Sequence, residues 1–111
     1  MDYTPDRGDV IWLNFTPQAG REQAGNRPAL VLSPKEYNRK TGLAVLCPIT
    51  SQMKGYPFEV ALVSGSVQGV VLSDHLKNLD WKERKAIFKG KASAEVLQAV
   101  VDKISSLLQI E

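Results

Sequence analysis

The 111-residue sequence predicts a single domain, residues 1–111, that is mainly β with a C-terminal helix and forms a small antiparallel barrel. The length lies near the commonest size of one domain, which argues against a separate cofactor-binding domain. Short apolar runs separated by glycine and proline follow one another through most of the chain. Near the end the apolar residues change to a helical period, so a helix covering a strand-rich barrel fits the whole pattern.

Six apolar runs have the length and the boundaries of strands. The second and third are apolar on both faces, which predicts that they lie in the core. Between them, residues 34–42 predict a single helical turn or a long hairpin loop closed by glycine. A parallel βαβ sheet fits poorly because the early strands have no helices between them. The predicted strands are residues 10–15, 29–33, 43–50, 56–63 and 69–73, with a weaker sixth at 86–91.

The C-terminal segment has the pattern of an amphipathic helix. Ser93 is the natural N-cap, and Glu95 in the first turn suits the positive end of the helix dipole. Polar residues occupy the outer face, which predicts that the other face covers the barrel. The apolar residues of that face recur at steps of three and four: Val96, Leu97, Val100, Val101, Ile104, Leu107 and Leu108.

The composition excludes several classes of protein. Ile, Leu, Val and Phe together lie well above the level of about 20% at which chains stay disordered. The longest apolar runs are far shorter than the roughly 20 residues that a membrane helix needs. The N-terminus has neither the basic start nor the apolar stretch of a secretory signal. We therefore expect a cytoplasmic protein that does not act in a membrane.

The single cysteine and the single histidine limit the chemistry further. Because Cys47 is the only cysteine, the chain can form neither an internal disulfide nor a multi-cysteine metal site. The apolar residues around Cys47 in the sequence predict a buried, inert thiol. Because His75 is the only histidine, one chain can form neither a catalytic pair of histidines nor a metal site built on several histidines. We expect no metal and no cofactor.

The net charge of +2 hides two basic segments. Residues 21–40 carry five basic and two acidic groups, and residues 77–91 carry six basic and two acidic groups. Each segment alone is typical of a solvated surface. If the fold brings them together, they form a positive surface suited to phosphate groups.

The loop before the second strand is the most informative motif. It reads GREQAGNRP at residues 20–28 and leads into ALVLS at 29–33. Other motifs lie before and after this loop, in an order and spacing compatible with it. They are GDVIW at 8–12, PITSQ at 48–52, KGYPFE at 54–59 and VLSDHLK at 71–77. Together these motifs resemble the MazF/PemK family of toxin endoribonucleases over essentially the whole chain.

The resemblance implies an SH3-like barrel of the CcdB/PemK-like toxin fold that forms a homodimer. It also implies sequence-specific, metal-independent cleavage of single-stranded RNA, including mRNA, that leaves 2′,3′-cyclic phosphate and 5′-hydroxyl ends. Family members are similar in being neutralised by an antitoxin, here expected to be a MazE-like acidic segment. By position in the motifs, the reactive arginine of the family corresponds to Arg27, its reactive threonine to Thr50 and its loop glutamate to Glu22.

These three residue types suit the attack of a ribose 2′-hydroxyl on the adjacent phosphorus. The guanidinium of Arg27 binds phosphate bidentately and stays charged at any working pH. Thr50 can donate a hydrogen bond to a phosphoryl oxygen or position the nucleophile. Glu22, the nearest carboxylate to Arg27 in the sequence, is the natural proton acceptor. Arg27, a water molecule and His75 are all candidates for the acid, and DNA is excluded as a substrate because it lacks the 2′-hydroxyl.

Residues in and beside the polar loops are expected to bind RNA. Loops at 18–26 and 51–56 are expected to set the choice of base, lysines to hold phosphates, and His75 to contact substrate as its segment does in the family. Solvated surface is an equally good interpretation of the lysines and of Arg21. The expected substrate-binding residues are Phe15, Arg21, Gln23, Ser51, Gln52, Lys54, Tyr56, Asp74, His75 and Lys77.

The aromatic residues have two interpretations. Core packing is the first expectation for Trp12, Phe15, Tyr56 and Phe58, because aromatic side chains dominate small cores. Phe15 and Tyr56 flank the polar loops, where a ring can instead stack on an unpaired base.

Two other functions compete with RNA cleavage. CcdB toxins are similar in fold but poison DNA gyrase, which depends on a C-terminal tail with a tryptophan. This chain ends in LLQIE, and its tryptophans are Trp12 and Trp81. A non-catalytic RNA-binding barrel would keep the basic surface but would be indifferent to loss of Glu22 or Thr50.

Overall fold

The structure, a computed structural model, describes residues 2–16 and 25–110. Within these ranges the chain forms seven strands and two helices, and every strand pairing is antiparallel, as the sequence predicts. The elements in chain order are β1 (Asp9–Asn14), β2 (Asn26–Val31), α1 (Lys35–Thr41), β3 (Leu43–Thr50), β4 (Glu59–Ser64), β5 (Val67–Leu72), β6 (Lys77–Asp80), β7 (Ile87–Lys91) and α2 (Ala94–Leu108).

The strands form one curled sheet in the order β4-β5-β3-β2-β1-β7, with β6 paired to β3. β3 is the longest strand and divides one edge between two partners. Its first half pairs with β6 through residues 43–46, and its last two residues, Ile49 and Thr50, pair with β5. Its other edge pairs with β2. This division bends the sheet into a half-barrel and confirms the predicted barrel with a C-terminal helix.

Both faces of the central strands are buried, which explains their continuous apolar runs. Successive residues of a strand point to opposite faces. Val10 and Leu30 pack with Val100 of α2, whereas their neighbours Ile11 and Val31 pack with residues of the opposite face, among them Trp81. The sheet is therefore the middle layer between two apolar clusters.

The C-terminal helix begins as the sequence predicts. The hydroxyl of Ser93 accepts a hydrogen bond from the backbone N–H of Val96 at 3.1 Å. Val100 is fully buried, but Leu107 and Leu108 are about half exposed, so the apolar face extends beyond the sheet that it covers. No helix in the described part of the chain is long and apolar enough to cross a membrane.

Helix α1 is longer than the predicted single turn because a buried amide anchors it. Asn38 is completely inaccessible to solvent, and its Nδ2 donates to the backbone oxygens of Pro5 at 2.8 Å and Ser33 at 3.0 Å. Its Oδ1 accepts a hydrogen bond from the Ser33 hydroxyl. The indole N–H of Trp81 donates to the backbone oxygen of Asn38 at 2.9 Å. The side chain of Asn38 thus joins α1 to the N-terminal segment and to Ser33, in the connection between β2 and α1.

Two aspartates organise the N-terminal segment. The buried carboxylate of Asp9 accepts hydrogen bonds from the Tyr3 hydroxyl and from Lys91 Nζ, both at 2.6 Å, and so ties β1 to β7. Asp6 accepts from the backbone N–H of Lys35 at 2.9 Å, at the start of α1. This bond, followed by the one from the N–H of Arg7, holds the pKa of Asp6 below its ordinary value.

Cys47 is fully buried in β3, as predicted. Its Sγ lies 3.7 Å from the backbone oxygen of Ser73. Burial, with a smaller contribution from the charge of Asp74, raises the pKa of this thiol to about 12. The thiol is therefore protonated and unreactive in the folded protein.

Several boundaries differ from the predicted ones. β2 begins at Asn26, three residues before the predicted strand, because its first residues pair with β1 before they can reach β3. β4 begins at Glu59 instead of residue 56 because Tyr56 accepts a turn hydrogen bond from the N–H of Glu59. β6 was not predicted as a strand, since its four residues alternate between half-buried and exposed on the weakly apolar sequence KNLD.

Candidate nucleic-acid interface

Two clefts flank the end of β3. The first, which we name the Arg27 cleft, has a volume of about 390 Å³. Arg27 is half-buried in its wall, and the ring of Trp12 is 36% exposed there. The wall combines a guanidinium, an ammonium, amides and hydroxyls. Its lining residues are Trp12, Asn26, Arg27, Pro28, Ile49, Ser51, Ser66, Val67, Gln68 and Lys89.

The second cleft, the Thr50 cleft, has a volume of about 550 Å³. Thr50, the last residue of β3, lines this cleft and is only 8% exposed. The Thr50 hydroxyl accepts a hydrogen bond from the backbone N–H of Gln52 at 3.2 Å, which leaves its own hydrogen available to a ligand in the cleft. The lining residues are Thr50, Gln52, Lys54, Tyr56, Glu59, Leu72, Asp74 and His75.

The two clefts adjoin at the end of β3, where two consecutive residues each line one of them. Thr50 lines one cleft and Ser51 lines the other. β2 and β3 pair in register from Val31 opposite Leu46 to Ala29 opposite Pro48. Extending that register by two residues places Arg27 opposite Thr50, where the strands separate. The predicted arginine and threonine therefore lie at the same end of neighbouring strands, with Arg27 in one cleft and Thr50 in the next.

The position of Thr50 depends on a close approach by β5. Gly69 lies beside the backbone of Thr50, and a Cβ added at Gly69 would overlap the Thr50 carbonyl. Thr50 itself pairs with Val70, the next residue of β5. Glycine thus allows β5 to support the end of β3 without displacing the threonine.

The Arg27 cleft brings together one residue from each of the two basic segments of the sequence. Arg27 belongs to the segment 21–40 and Lys89 to the segment 77–91, and both line this cleft. These two cations support the predicted positive surface at this position. Such a surface attracts the phosphates of a nucleic acid.

Exposed aromatic rings lie in both clefts. Tyr56 is 60% exposed in the Thr50 cleft, so the core interpretation of this residue is wrong and its ring is accessible from the cleft. Trp12 was also expected in the core, but its ring is partly exposed in the Arg27 cleft. Phe58 is half-buried.

Phe15 is a correction to the predicted binding residues. Its side chain has no exposed surface and packs with Ile11 and Leu13 in one of the apolar clusters. A ring in this position cannot stack on RNA, so the alternative interpretation as a core residue is correct. Position beside a polar loop favours contact with substrate, but Phe15 directly follows β1, and its side chain turns inward because it continues the alternation of that strand.

The other predicted residues fall into three groups. Ser51 lines the Arg27 cleft, whereas Gln52, Lys54, Asp74 and His75 line the Thr50 cleft. His75 Nε2 lies 3.9 Å from a carboxylate oxygen of Asp74. Lys77 is half-buried at the start of β6, opposite Leu46, and lines neither cleft. The remaining three lie outside the residues that the structure describes: Arg21, Glu22 and Gln23.

Several residues of this interface have no functional signal in the sequence. Lys89 and Gln68 sit on exposed positions of β7 and β5, where a single sequence gives no signal that they face Arg27. Asn26 precedes Arg27 in a segment whose sequence is typical of a loop. Glu59 gives no signal because one carboxylate near the start of a strand is an ordinary surface pattern. Several strand pairings bring these positions together: β5 pairs with β3, β4 with β5, and both β2 and β7 with β1.

Comparison with known proteins identifies the class to which this barrel belongs. The family model described as the PemK-like, MazF-like toxin of type II toxin-antitoxin systems matches residues 6–108. That match spans both clefts and the covering helix. The chain therefore belongs to the PemK/MazF toxin family, which confirms the resemblance seen in its motifs.

Individual relatives agree with this assignment. The chain is 50% identical over 106 residues to the endoribonuclease toxin MazF of Escherichia coli strain K12, covering 96% of each chain. A crystal structure of MazF from Deinococcus radiodurans superposes with a TM-score of 0.94 at 57% identity, covering 98% of this chain and 100% of that chain. A crystal structure of MazE-MazF from the same organism gives a TM-score of 0.88 at 51% identity, covering 99% and 100%.

Proposed function

We propose that this chain is a sequence-specific, metal-independent endoribonuclease toxin that cleaves single-stranded RNA, including mRNA. The observation that carries the proposal is the placement of Arg27 and Thr50 at the same end of β2 and β3, each in one of two adjoining clefts. The named endoribonuclease toxins that the chain resembles over nearly its whole length support it.

RNA crossing the end of β3 would contact both clefts. The scissile phosphate would lie over this strand end, with the guanidinium of Arg27 binding its non-bridging oxygens. Thr50 would donate its free hydroxyl hydrogen to a phosphoryl oxygen or to the ribose that attacks. The neighbouring bases would then reach the exposed ring of Tyr56 and the polar groups of the Thr50 cleft.

The reaction is an internal transesterification. The 2′-oxygen bonds to phosphorus as its proton leaves, the bond to the 5′-oxygen breaks, and that oxygen takes up a proton. The products are a 2′,3′-cyclic phosphate and a 5′-hydroxyl. Arg27 stabilises the charge that builds on the phosphoryl oxygens, and Glu22 accepts the proton. Arg27, water and His75 are the candidates for the acid.

The same proposal includes the partners and the location of the toxin. We place it in the cytoplasm as a homodimer, neutralised by a MazE-like antitoxin with an acidic segment that is disordered when free. Lys89 and Arg27 give the interface the positive charge that such a segment would cover. The MazE-MazF complexes of Deinococcus radiodurans support an antitoxin of this kind. Binding should weaken as salt is added.

The test is cleavage of a long single-stranded RNA in EDTA, with the ends of the fragments identified chemically. Wild-type protein should give discrete fragments with 2′,3′-cyclic phosphates. Arg27→Ala should lower kcat/KM by about 10²–10³-fold, the usual effect of losing one preorganised donor to a developing charge. Thr50→Val should lower the rate of a single turnover while keeping most of the affinity.

The matched control is Arg39→Ala, which removes the same charge from the exposed surface of α1. This variant should cleave at nearly the wild-type rate. Full turnover by Arg27→Ala would contradict the proposal. A loss of activity in EDTA that magnesium restores would place the chain in a different class of nuclease. Binding without cleavage, unchanged in Thr50→Val, would favour a non-catalytic RNA-binding barrel.

A further inference from the structure

The loop between β3 and β4, residues 51–58, supplies much of the Thr50 cleft. Gln52, Lys54 and Tyr56 project from it, and all three are exposed. Exposed side chains on a loop recognise a ligand well only when the backbone of the loop is fixed beforehand. The contacts that fix this loop therefore bear directly on substrate binding.

One carboxylate makes most of those contacts. Glu59, the first residue of β4, accepts hydrogen bonds from two consecutive backbone N–H groups, those of Lys54 at 3.1 Å and Gly55 at 2.9 Å. Its own N–H donates to the backbone oxygen of Tyr56 at 3.1 Å. Gly55 has a φ of +80°, a left-handed conformation that favours glycine.

A second contact holds the far end of the loop. Lys103 of α2 donates from its Nζ to the backbone oxygen of Pro57 at 2.5 Å. The start of the loop is held by the bond from the N–H of Gln52 to the Thr50 hydroxyl. The hydrogen bonds to Glu59 hold the middle of the loop, between these two ends. Of the three contacts, this is the one that binds the backbone of Lys54 and Gly55.

We propose that Glu59 is a positioning residue for substrate recognition: its carboxylate fixes the loop 51–58 so that Gln52, Lys54 and Tyr56 are held in place for RNA. The proposal rests on the endoribonuclease function proposed above. Both carboxylate oxygens accept hydrogen bonds from the loop, so the residue acts through the backbone and not as an acid or a base.

The sign of the change in KM distinguishes this positioning role from a direct effect of the negative charge of Glu59 on RNA. A carboxylate beside bound RNA repels its phosphates. If Glu59 acted only through its charge, its removal would strengthen binding and lower KM. If it fixes the loop, its removal weakens binding and raises KM, so the two explanations predict changes of opposite sign.

The experiment measures cleavage kinetics on a short oligonucleotide that contains the preferred site. For Glu59→Ala we expect KM to rise about tenfold, with kcat changed by less than about twofold, and discrimination against one-base variants of the site to fall. Glu59→Gln keeps one accepting oxygen and should lie between wild type and Glu59→Ala. The control is Glu36→Ala, which removes the same charge from the exposed surface of α1 and should leave KM unchanged.

A second measurement does not require cleavage of RNA. Trypsin cuts after lysine, and the bond between Lys54 and Gly55 lies in the loop. Cutting at this bond should be about ten times faster in Glu59→Ala than in wild type, because local opening exposes it, while a urea titration confirms that the barrel remains folded. This result would stand even if the wild-type protein cleaved no RNA.

The outcomes separate cleanly. A raised KM together with faster cutting after Lys54 supports the positioning role. A lowered or unchanged KM in folded Glu59→Ala overturns it. Altered base preference in Glu59→Gln with unchanged cutting after Lys54 also overturns it, because that result would mean direct contact between the carboxyl and a base.

Discussion

Exchanging the buried amide of Asn38 for a carboxylate is predicted to destabilise the barrel severely, although Asn38→Asp hardly changes the size of the side chain. In the wild type, Nδ2 donates to the backbone oxygens of Pro5 and Ser33. In Asn38→Asp an oxygen replaces this nitrogen. Three acceptors then face one another in a site with no exposed surface.

The magnitude follows from the two lost bonds. Each buried carbonyl left without a donor costs about 1–3 kcal/mol, so the free energy of unfolding should fall by about 2–6 kcal/mol. The total stability of a domain of this size is about 5–15 kcal/mol. With a urea m-value of about 2 kcal/mol/M, the midpoint of unfolding should fall by about 1–3 M.

The assay is urea unfolding followed by tryptophan fluorescence and by far-ultraviolet circular dichroism. Trp81 is a local reporter because its indole donates to the backbone oxygen of Asn38. The control is Asn78→Asp, the same exchange at an exposed amide that donates to the Tyr37 hydroxyl, which should cost less than about 0.5 kcal/mol. A loss below about 1 kcal/mol in Asn38→Asp, or an equal loss in the control, would refute the reasoning.

Two further predictions concern the active end of the barrel and its response to acid. Gly69→Ala should lower kcat at least about tenfold, because the new methyl group must displace the backbone of Thr50. The control is Gly42→Ala, at a glycine remote from the clefts, which should keep the wild-type kcat. An unchanged kcat in Gly69→Ala would contradict the role given to Gly69. The pKa of Asp6 lies below its ordinary value, so this carboxylate stabilises the fold above about pH 4, and the contribution is lost as the pH falls through its lowered pKa. Urea midpoints measured from pH 5 to pH 2 should therefore fall less steeply in Asp6→Asn than in wild type, and parallel curves would contradict this.

The fold was predictable wherever side-chain patterns decide structure locally. The continuous apolar run of β3 and the helical period of α2 both agree with the structure, as does the cap at Ser93. β6 was not predictable, because it exists through its pairing with residues 43–46 of β3 and not through any preference of its own sequence. The length of α1 likewise depends on the buried bonds of Asn38, which join residues far apart in the chain.

The candidate site was predictable in part. The motifs gave Arg27 and Thr50, and the register of β2 and β3 brings them to the same end of the sheet. Whether Phe15 or Tyr56 faces solvent depends on strand phase and on where a turn ends, which residue type alone does not reveal. Lys89 joins Arg27 only through the pairing of β7 with β1, so the shared basic cleft required the three-dimensional structure.

Because Cys47 is buried and is the only thiol of the chain, the rate at which it is labelled reports how often the barrel opens. Thiol reagents attack the thiolate, and the folded protein offers them neither an ionised sulfur nor a path to it. Modification must therefore wait until β3 separates from its neighbours, at a frequency set by local stability. Because Thr50 ends the same strand, any RNA or antitoxin that binds across this end should slow the labelling of Cys47. The wild-type protein can thus report occupancy of its own interface, without an added probe and without a single bond of RNA being cut.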